Sequence, residues 1–142
     1  MVEHHFIKLL TKQYNEWILI TDELKKICKE SKVRNGIMYV ISRHTTTGVT
    51  VNESLECLES DLSDMLDRLI PEDFPYAHAR ILSSYGSTAG NPTGHLKSHL
   101  TGNHCVLPII DGTISKGDAQ DIYFCEFDGP ASRTITVTII GE

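Results

Sequence analysis

The sequence predicts an α+β fold in a single domain spanning residues 1–142. Three observations lead there. Short runs rich in β-branched and aromatic residues, bounded by Gly, Pro, Asn and Asp, recur towards both ends of the chain and read as strands. Residues 55–69 carry Leu55, Leu58, Leu62, Met65, Leu66 and Leu69 at helical spacing. The elements run strand, strand, helix, strand, strand, helix, short helix and then several strands, not the strict strand–helix alternation of a parallel α/β sheet.

Residues 6–10 and 17–20 supply the first two strands, around a turn at Tyr14-Asn15-Glu16. Thr21-Asp22 opens a helix with Leu24, Ile27 and Cys28 on one face. Asn35-Gly36 is expected to end it, since glycine tolerates positive φ. Residues 37–41 are a dense apolar run, as in a central strand. The polar run Arg43-His44-Thr45-Thr46-Thr47-Gly48 then interrupts it, before Val49-Thr50-Val51 resumes strand alternation. Asn52-Glu53-Ser54 opens the long helix, and Pro71 stops it. Residues 71–94 are polar and rich in Gly, Pro, Ser and Tyr, and a loop of that length in a compact domain is usually functional or mobile. Residues 95–101 form a short helix ended by Gly102. Residues 105–110 are a strand, and Asp111-Gly112 is a tight-turn signal. Residues 122–127 and 134–140 are strands joined through Asp128-Gly129-Pro130.

A chain of 142 residues buries roughly 68–70% of its unfolded surface, so it needs no disulfide or structural metal to fold. Its net charge of −6 and its 13 scattered Lys and Arg argue against nucleic acid, which requires a basic stripe. The one basic cluster, Lys25, Lys26, Lys29 and Lys32, is interleaved with Asp22, Glu23 and Glu30 and reads as a solvated helix face. The four cysteines form no C-x-x-C pair, the usage of free thiols in a reducing compartment. No apolar run is long enough to span a bilayer. The start, Met1-Val2-Glu3-His4-His5, lacks a signal-peptide pattern. A cytoplasmic protein without a membrane partner is expected.

Four places could carry chemistry. In the Arg43-to-Gly48 run, three Thr hydroxyls, backbone N–H groups and a glycine can bind an anion, and His44 adds a proton donor or metal ligand. A Thr-rich strand passing a turn is the plain alternative. Asn52 and Glu53 precede the long helix, where capping competes with a carboxylate base or metal ligand. Gly94-His95-Leu96-Lys97-Ser98-His99 places His95 and His99 at i and i+4 on one helix face, a spacing that suits a shared metal but lacks further ligands; Lys97 can pair with phosphate as a point charge. Gln120 can bond a ligand or close a turn. Arg133 can fork onto a carboxylate or phosphate, or bridge to Glu126 within its own hairpin.

Several segments, in order, resemble one family. They are His44-Thr45-Thr46-Thr47 with Thr50-Val51-Asn52-Glu53, Leu69-Ile70-Pro71-Glu72-Asp73, and Gly94-His95-Leu96-Lys97-Ser98. Leu107-Pro108 with Asp111-Gly112, Gly117 with Gln120, and the tail from Cys125 through Gly129-Pro130 and Arg133 to Gly141-Glu142 complete the set. The chain is similar to the YjbQ-like family, an uncharacterised family also labelled secondary thiamine-phosphate synthase enzyme. The resemblance implies a compact domain with a curved mixed, largely antiparallel sheet and two main helices, assembled as a homotrimer. The family label implies weak formation of thiamine phosphate from a pyrimidine diphosphate and a thiazole phosphate. The matching polar residues are His44, Asn52, Glu53, His95, Lys97, Ser98, Gln120 and Arg133. Two positions depart. Ala119 stands where the family usually has Trp, an aromatic able to stack on a heterocycle. His99 stands where the family as a rule has no histidine, so the i,i+4 pair is set aside and His95 kept alone.

Three functions are therefore carried forward. The first is a transferase acting on a phosphorylated small molecule. Glu53, His95 and His44 would be its catalytic groups, Thr45, Thr46, Asn52, Lys97, Ser98, Gln120 and Arg133 its ligand-binding groups, and Mg²⁺ on the diphosphate its metal. The second is a metal- or anion-binding protein without that activity, with His44 and His95, together with Glu53, as ligands to a divalent ion such as Zn²⁺. The third is a trimeric partner-binding module.

Overall fold

In the computed structural model, which describes residues 1–79 and 90–142, two antiparallel sheets curl around one apolar interior. The larger sheet orders β1 (Val2–Leu10), β8 (Ser132–Gly141), β3 (Gly36–Ser42), β5 (His104–Ile110) and β6 (Thr113–Ile114), with β8 between β1 and β3. The smaller sheet orders β2 (Glu16–Leu19), β7 (Asp121–Glu126) and β4 (Thr47–Asn52). All described strand pairings are antiparallel. The α+β class and the curved, largely antiparallel sheet are thus found as expected.

Alternation fixes what each strand faces. Met38 and Val40 of β3, Ile135, Val137 and Ile139 of β8, and Leu107 and Ile109 of β5 point inward. They meet Val49 of β4 and Ile122 and Phe124 of β7 in one core cluster. The intervening side chains of the larger sheet face outward: Phe6, Val106, Ile110 and Ile140 are exposed. β7 lacks such alternation because it is covered on both faces. Tyr123 and Cys125, with Phe127 just beyond, pack on Leu66 and Trp17 in a second cluster.

Among the described residues three α-helices flank the sheets: α1 (Thr21–Glu30), α2 (Glu56–Leu69) and α3 (Pro92–Thr101). α1 inserts Leu24 and Cys28 into the core and stops at Glu30, short of the expected Asn35-Gly36. Val33 is fully buried, and the Arg34 and Asn35 N–H groups donate to the Glu142 carbonyl, so the segment after α1 is spent on chain crossing. Gly36 is required for a different reason from the one anticipated. A Cβ there would collide with the Ile140 carbonyl where β3 meets β8. Gly102 does take positive φ, at 92°, and ends α3 as expected.

The apolar stripe of α2 is less buried than its spacing suggests. Only Leu66 is buried, while Leu55, Met65 and Leu69 are exposed. Polar anchors share the docking: Trp17 Nε1 donates to Ser63 Oγ at 2.8 Å and Tyr123 Oη to Glu59 Oε2 at 2.6 Å. The expected loop over residues 71–94 divides. A 3₁₀ turn occupies Ala77–Ala79, and α3 begins at Pro92, earlier than anticipated, with proline in its first turn. Residues 80–89 lie outside the described residues. No described helix is long and apolar enough to cross a membrane.

Candidate functional site

The polar run after β3 does not continue that strand. Residues 43–46 connect β3 in the larger sheet to β4 in the smaller one, and Thr47 and Gly48 already belong to β4. Both flanks are pinned to the end of α3: Ser42 N–H donates to the Asn103 carbonyl at 2.8 Å and Val49 N–H to the Gly102 carbonyl at 3.1 Å. A Cβ on Gly48 would press within 2.8 Å of that Gly102 oxygen, so glycine permits the close approach.

The connection and α3 enclose an open cavity of about 590 Å³ lined by Ser42, Arg43, His44, Thr45, His95, Ser98, His99, Gly102 and Asn103. Arg43, His44 and Thr45 are exposed to it. Among the described residues its lining holds one arginine, three histidines and no carboxylate. Ser98 Oγ is committed to the Thr47 carbonyl at 2.6 Å. Ser42 is 6% exposed, and its Oγ has no hydrogen-bond partner among the described residues.

His44 is held by its own turn. Thr46 N–H donates to His44 Nδ1 at 3.2 Å, and Thr46 Oγ1 lies 2.8 Å from the same nitrogen. Behind Thr46, Arg133 grips Glu126 through Nε–Oε1 at 2.7 Å and a second N–H to Oε2 at 2.9 Å. It also donates to Thr46 Oγ1 at 3.4 Å. Partial burial, then the Arg133 charge, push the His44 imidazole below its ordinary value, against the opposite pull of Glu126 and Asp128.

His95 sits at the cavity's other wall, its ring edge-on to His78 with centroids 4.9 Å apart. A chain of polar contacts leads back from there: His78 Nε2 to Asn91 Oδ1 at 2.9 Å, and Asn91 Nδ2 donating to Asp128 Oδ2 at 2.9 Å. A second cavity of about 420 Å³, lined by Tyr76, Ala77, His78, Pro92, His95 and Leu96, shares His95 with the first.

The structure therefore brings together His44, Thr45, His95 and Ser98, with Thr46 and Arg133 directly behind. It does not bring in the rest. The six residues of β4 make five steps of about 3.3 Å, so ~17 Å separates its two ends, and Asn52 and Glu53 lie at the far end of the strand from His44. Asn52 Oδ1 accepts from the Glu53 N–H at 2.8 Å. Gln120 lies beside that far end, next to Asp121, which pairs with Asn52. There it closes a turn, its Oε1 accepting from Gly117 N–H at 2.8 Å. Lys97 is 3% exposed, bonds Asp67 of α2 at 2.7 Å, and lines a separate cavity of about 100 Å³ with Trp17 and Phe127. Arg133 takes the carboxylate of its own hairpin and does not line the cavity. Ser42 and Asn103 carry no sequence signal of their own, Arg43 enters only as the first residue of the Thr run, and Glu126 only as the bridge partner of Arg133. His99 does reach the cavity, by the i,i+4 spacing to His95 that had been set aside. Among the described residues, no three His, Cys, Asp or Glu side chains are grouped closely enough to hold a metal ion.

The model for the UPF0047 protein YjbQ-like family matches residues 5–142. The chain belongs to the YjbQ-like family. Its relatives include a UPF0047 protein of Methanothermobacter thermautotrophicus, 35% identical over 96% of this chain and 90% of that one. They also include YugU of Bacillus subtilis, 31% identical over 95% and 97%. A YjbQ-like protein of unknown function from Sulfolobus solfataricus superposes with a TM-score of 0.90, at 28% identity, over 100% of this chain and 99% of that chain. A YjbQ/UPF0047 family protein of Clostridium acetobutylicum gives 0.86 at 34% identity, over 96% and 99%. Family membership and fold thus rest on whole-length agreement.

Proposed function

We propose that this YjbQ-like chain binds and turns over a phosphorylated small molecule in the His44–His95 cavity. The observation that carries this is the lining: one arginine, three histidines, hydroxyls and an amide, with no carboxylate among the described residues to repel an anion. The buried, unpartnered Ser42 Oγ supports it, because a polar atom left unpaired there has a hydrogen bond to give to a ligand.

The family's thiamine-phosphate synthase label fits this chemistry in outline. The thiazole nitrogen attacks the pyrimidine-bearing methylene carbon, the carbon–oxygen bond breaks, and diphosphate leaves with the electron pair. The protein's task is to stabilise that departing charge and hold the nucleophile in line. Arg43, His44 and His99 suit the first task, and His95 lies between the polar cavity and its apolar neighbour. The described residues do not form a set for a resident Mg²⁺ or Zn²⁺, and no step proposed here runs through a metal.

Titration with inorganic pyrophosphate, followed by ³¹P NMR, tests the binding. Saturable binding is expected, weakened about tenfold or more by Arg43→Ala, the loss of one charge-assisted hydrogen bond. No saturation at millimolar pyrophosphate, or an unchanged affinity in Arg43→Ala, overturns it.

The assembly in this reading is a homotrimer. Its support is the outward face of the larger sheet, where Phe6 of β1, Ile140 of β8, and Val106 and Ile110 of β5 stand exposed. Light scattering at micromolar concentration should give three chain masses, falling in Phe6→Lys. A mass of one chain for the unmodified protein rejects it.

A further inference from the structure

We infer that Arg133, Glu126 and Thr46 form a positioning relay that fixes His44 as the neutral tautomer with its proton on Nε2, so that His44 enters the cavity only as a hydrogen-bond donor. The inference rests on the binding reading above and deepens it by giving His44 a direction.

The argument begins with the one group whose role admits no choice. A backbone N–H can only donate, and that of Thr46 is aimed at His44 Nδ1 at 3.2 Å. Nδ1 must therefore present its lone pair, which leaves the ring proton on Nε2. The Thr46 hydroxyl, 2.8 Å from the same nitrogen, must then donate as well. For it to do so, its oxygen should accept from elsewhere, and Arg133 supplies that at 3.4 Å. A guanidinium cannot accept, so the order of donation runs one way: Arg133 to Thr46 to His44.

The relay is anchored deeply. Thr46 and Glu126 are fully buried and Arg133 is 9% exposed. Glu126 holds the guanidinium with both oxygens, and is itself held by the Thr11 hydroxyl at 2.8 Å and the Asp128 N–H at 3.0 Å. Arg133 also donates to the Asp128 carbonyl at 3.3 Å. No atom of this chain needs to move for His44 to keep its direction, which is how a bound group is oriented before its ligand arrives. A proton on Nδ1 would instead face the Thr46 N–H, which cannot accept it. His44 is thus a donor to a ligand oxygen, not a base that takes a proton at Nε2.

The test is long-range ¹H–¹⁵N NMR of the histidine rings at neutral pH in the ligand-free protein, with His44 assigned by its loss in His44→Gln. Wild type should show an unprotonated Nδ1 and a protonated Nε2. Thr46→Val, which keeps the backbone donor but removes the hydroxyl, should lower the Nε2–H to Nδ1–H ratio about tenfold, the scale of one hydrogen bond. Thr46→Ser should restore it. Arg133→Lys should shift the ratio in the same direction as Thr46→Val. A wild-type His44 carrying its proton on Nδ1, or on both nitrogens, overturns the inference, and so does a Thr46→Val spectrum identical to wild type. If these variants do not fold, the wild-type spectrum still decides the tautomer. Because no ligand is present, failure here is separate from failure of pyrophosphate binding.

Discussion

His44→Ala is expected to lower turnover of the two thiamine precursors by about 10²- to 10³-fold, the usual range for removing one preorganised hydrogen-bond donor to developing negative charge. Glu53→Ala is expected to leave it within about threefold, since a group beyond the far end of β4 in the same chain touches neither reactant. The contrast follows from where β4 places its ends. His44 precedes the strand and lines the cavity, whereas Glu53 follows it, exposed, at the far side. His44→Gln should lose less than His44→Ala, because the glutamine amide can offer an N–H in place of Nε2–H. Protonation at Nδ1 would set a proton against the Thr46 N–H and release the ring, and because burial and Arg133 disfavour the imidazolium, that loss should appear only below pH 6.5, the ordinary histidine value. Steady-state kinetics of the three variants decide the matter. Equal losses in His44→Ala and Glu53→Ala would mean that the reacting carboxylate comes from a neighbouring copy, and the one-chain site would be abandoned.

How far such a site can be read in a sequence depends on which geometry is local. Residues on one turn or one helix face were legible. His44 and Thr45 share a connection, and His95, Ser98 and His99 recur at i+3 and i+4. The same rule separates Lys97 from His95, since residues two apart on a helix do not share a face, and Lys97 indeed turns to Asp67. Strand length is harder to weigh. Asn52 and Glu53 look adjacent to the Thr run in a motif, yet β4 carries them away from it. The fold class was legible because runs such as residues 37–41 and 134–140 have no other use. β1 was underestimated. Glu3, His4 and His5 look unlike a strand, but pairing with β8 puts His4 on the outer face, where polar groups are tolerated. The buried leucines expected on α2 failed for a tertiary reason: among the described residues only Leu66 of the helix is buried, and Ser63 and Glu59 dock through hydrogen bonds instead. No pattern within α2 announces that.

Arg133→Ala is expected to destabilise the chain by about 3–5 kcal/mol, because it strands the buried Glu126 carboxylate without its partner. Glu126 is fully buried, accepts two bonds from Arg133, and sits beneath the turn that carries His44. Urea unfolding of Arg133→Ala, Glu126→Gln and the apolar pair Glu126→Leu with Arg133→Met measures it. The paired replacement should cost much less than Arg133→Ala, since it leaves no charge behind. The pH dependence has a definite sign. Burial alone would raise the Glu126 carboxyl, but hydrogen bonds from Arg133, Thr11 and the Asp128 N–H outweigh it and hold the group below its ordinary value of 4.5. A folded value below the unfolded one means that the stabilisation is complete above the unfolded value and is lost as pH falls through the folded one. The stability gap between wild type and Glu126→Gln should therefore be widest above pH 4.5 and close on acidification. A gap that widens towards acid would mean that Glu126 is protonated in the folded chain. The anchor of the His44 turn would then be a neutral contact and not an ion pair.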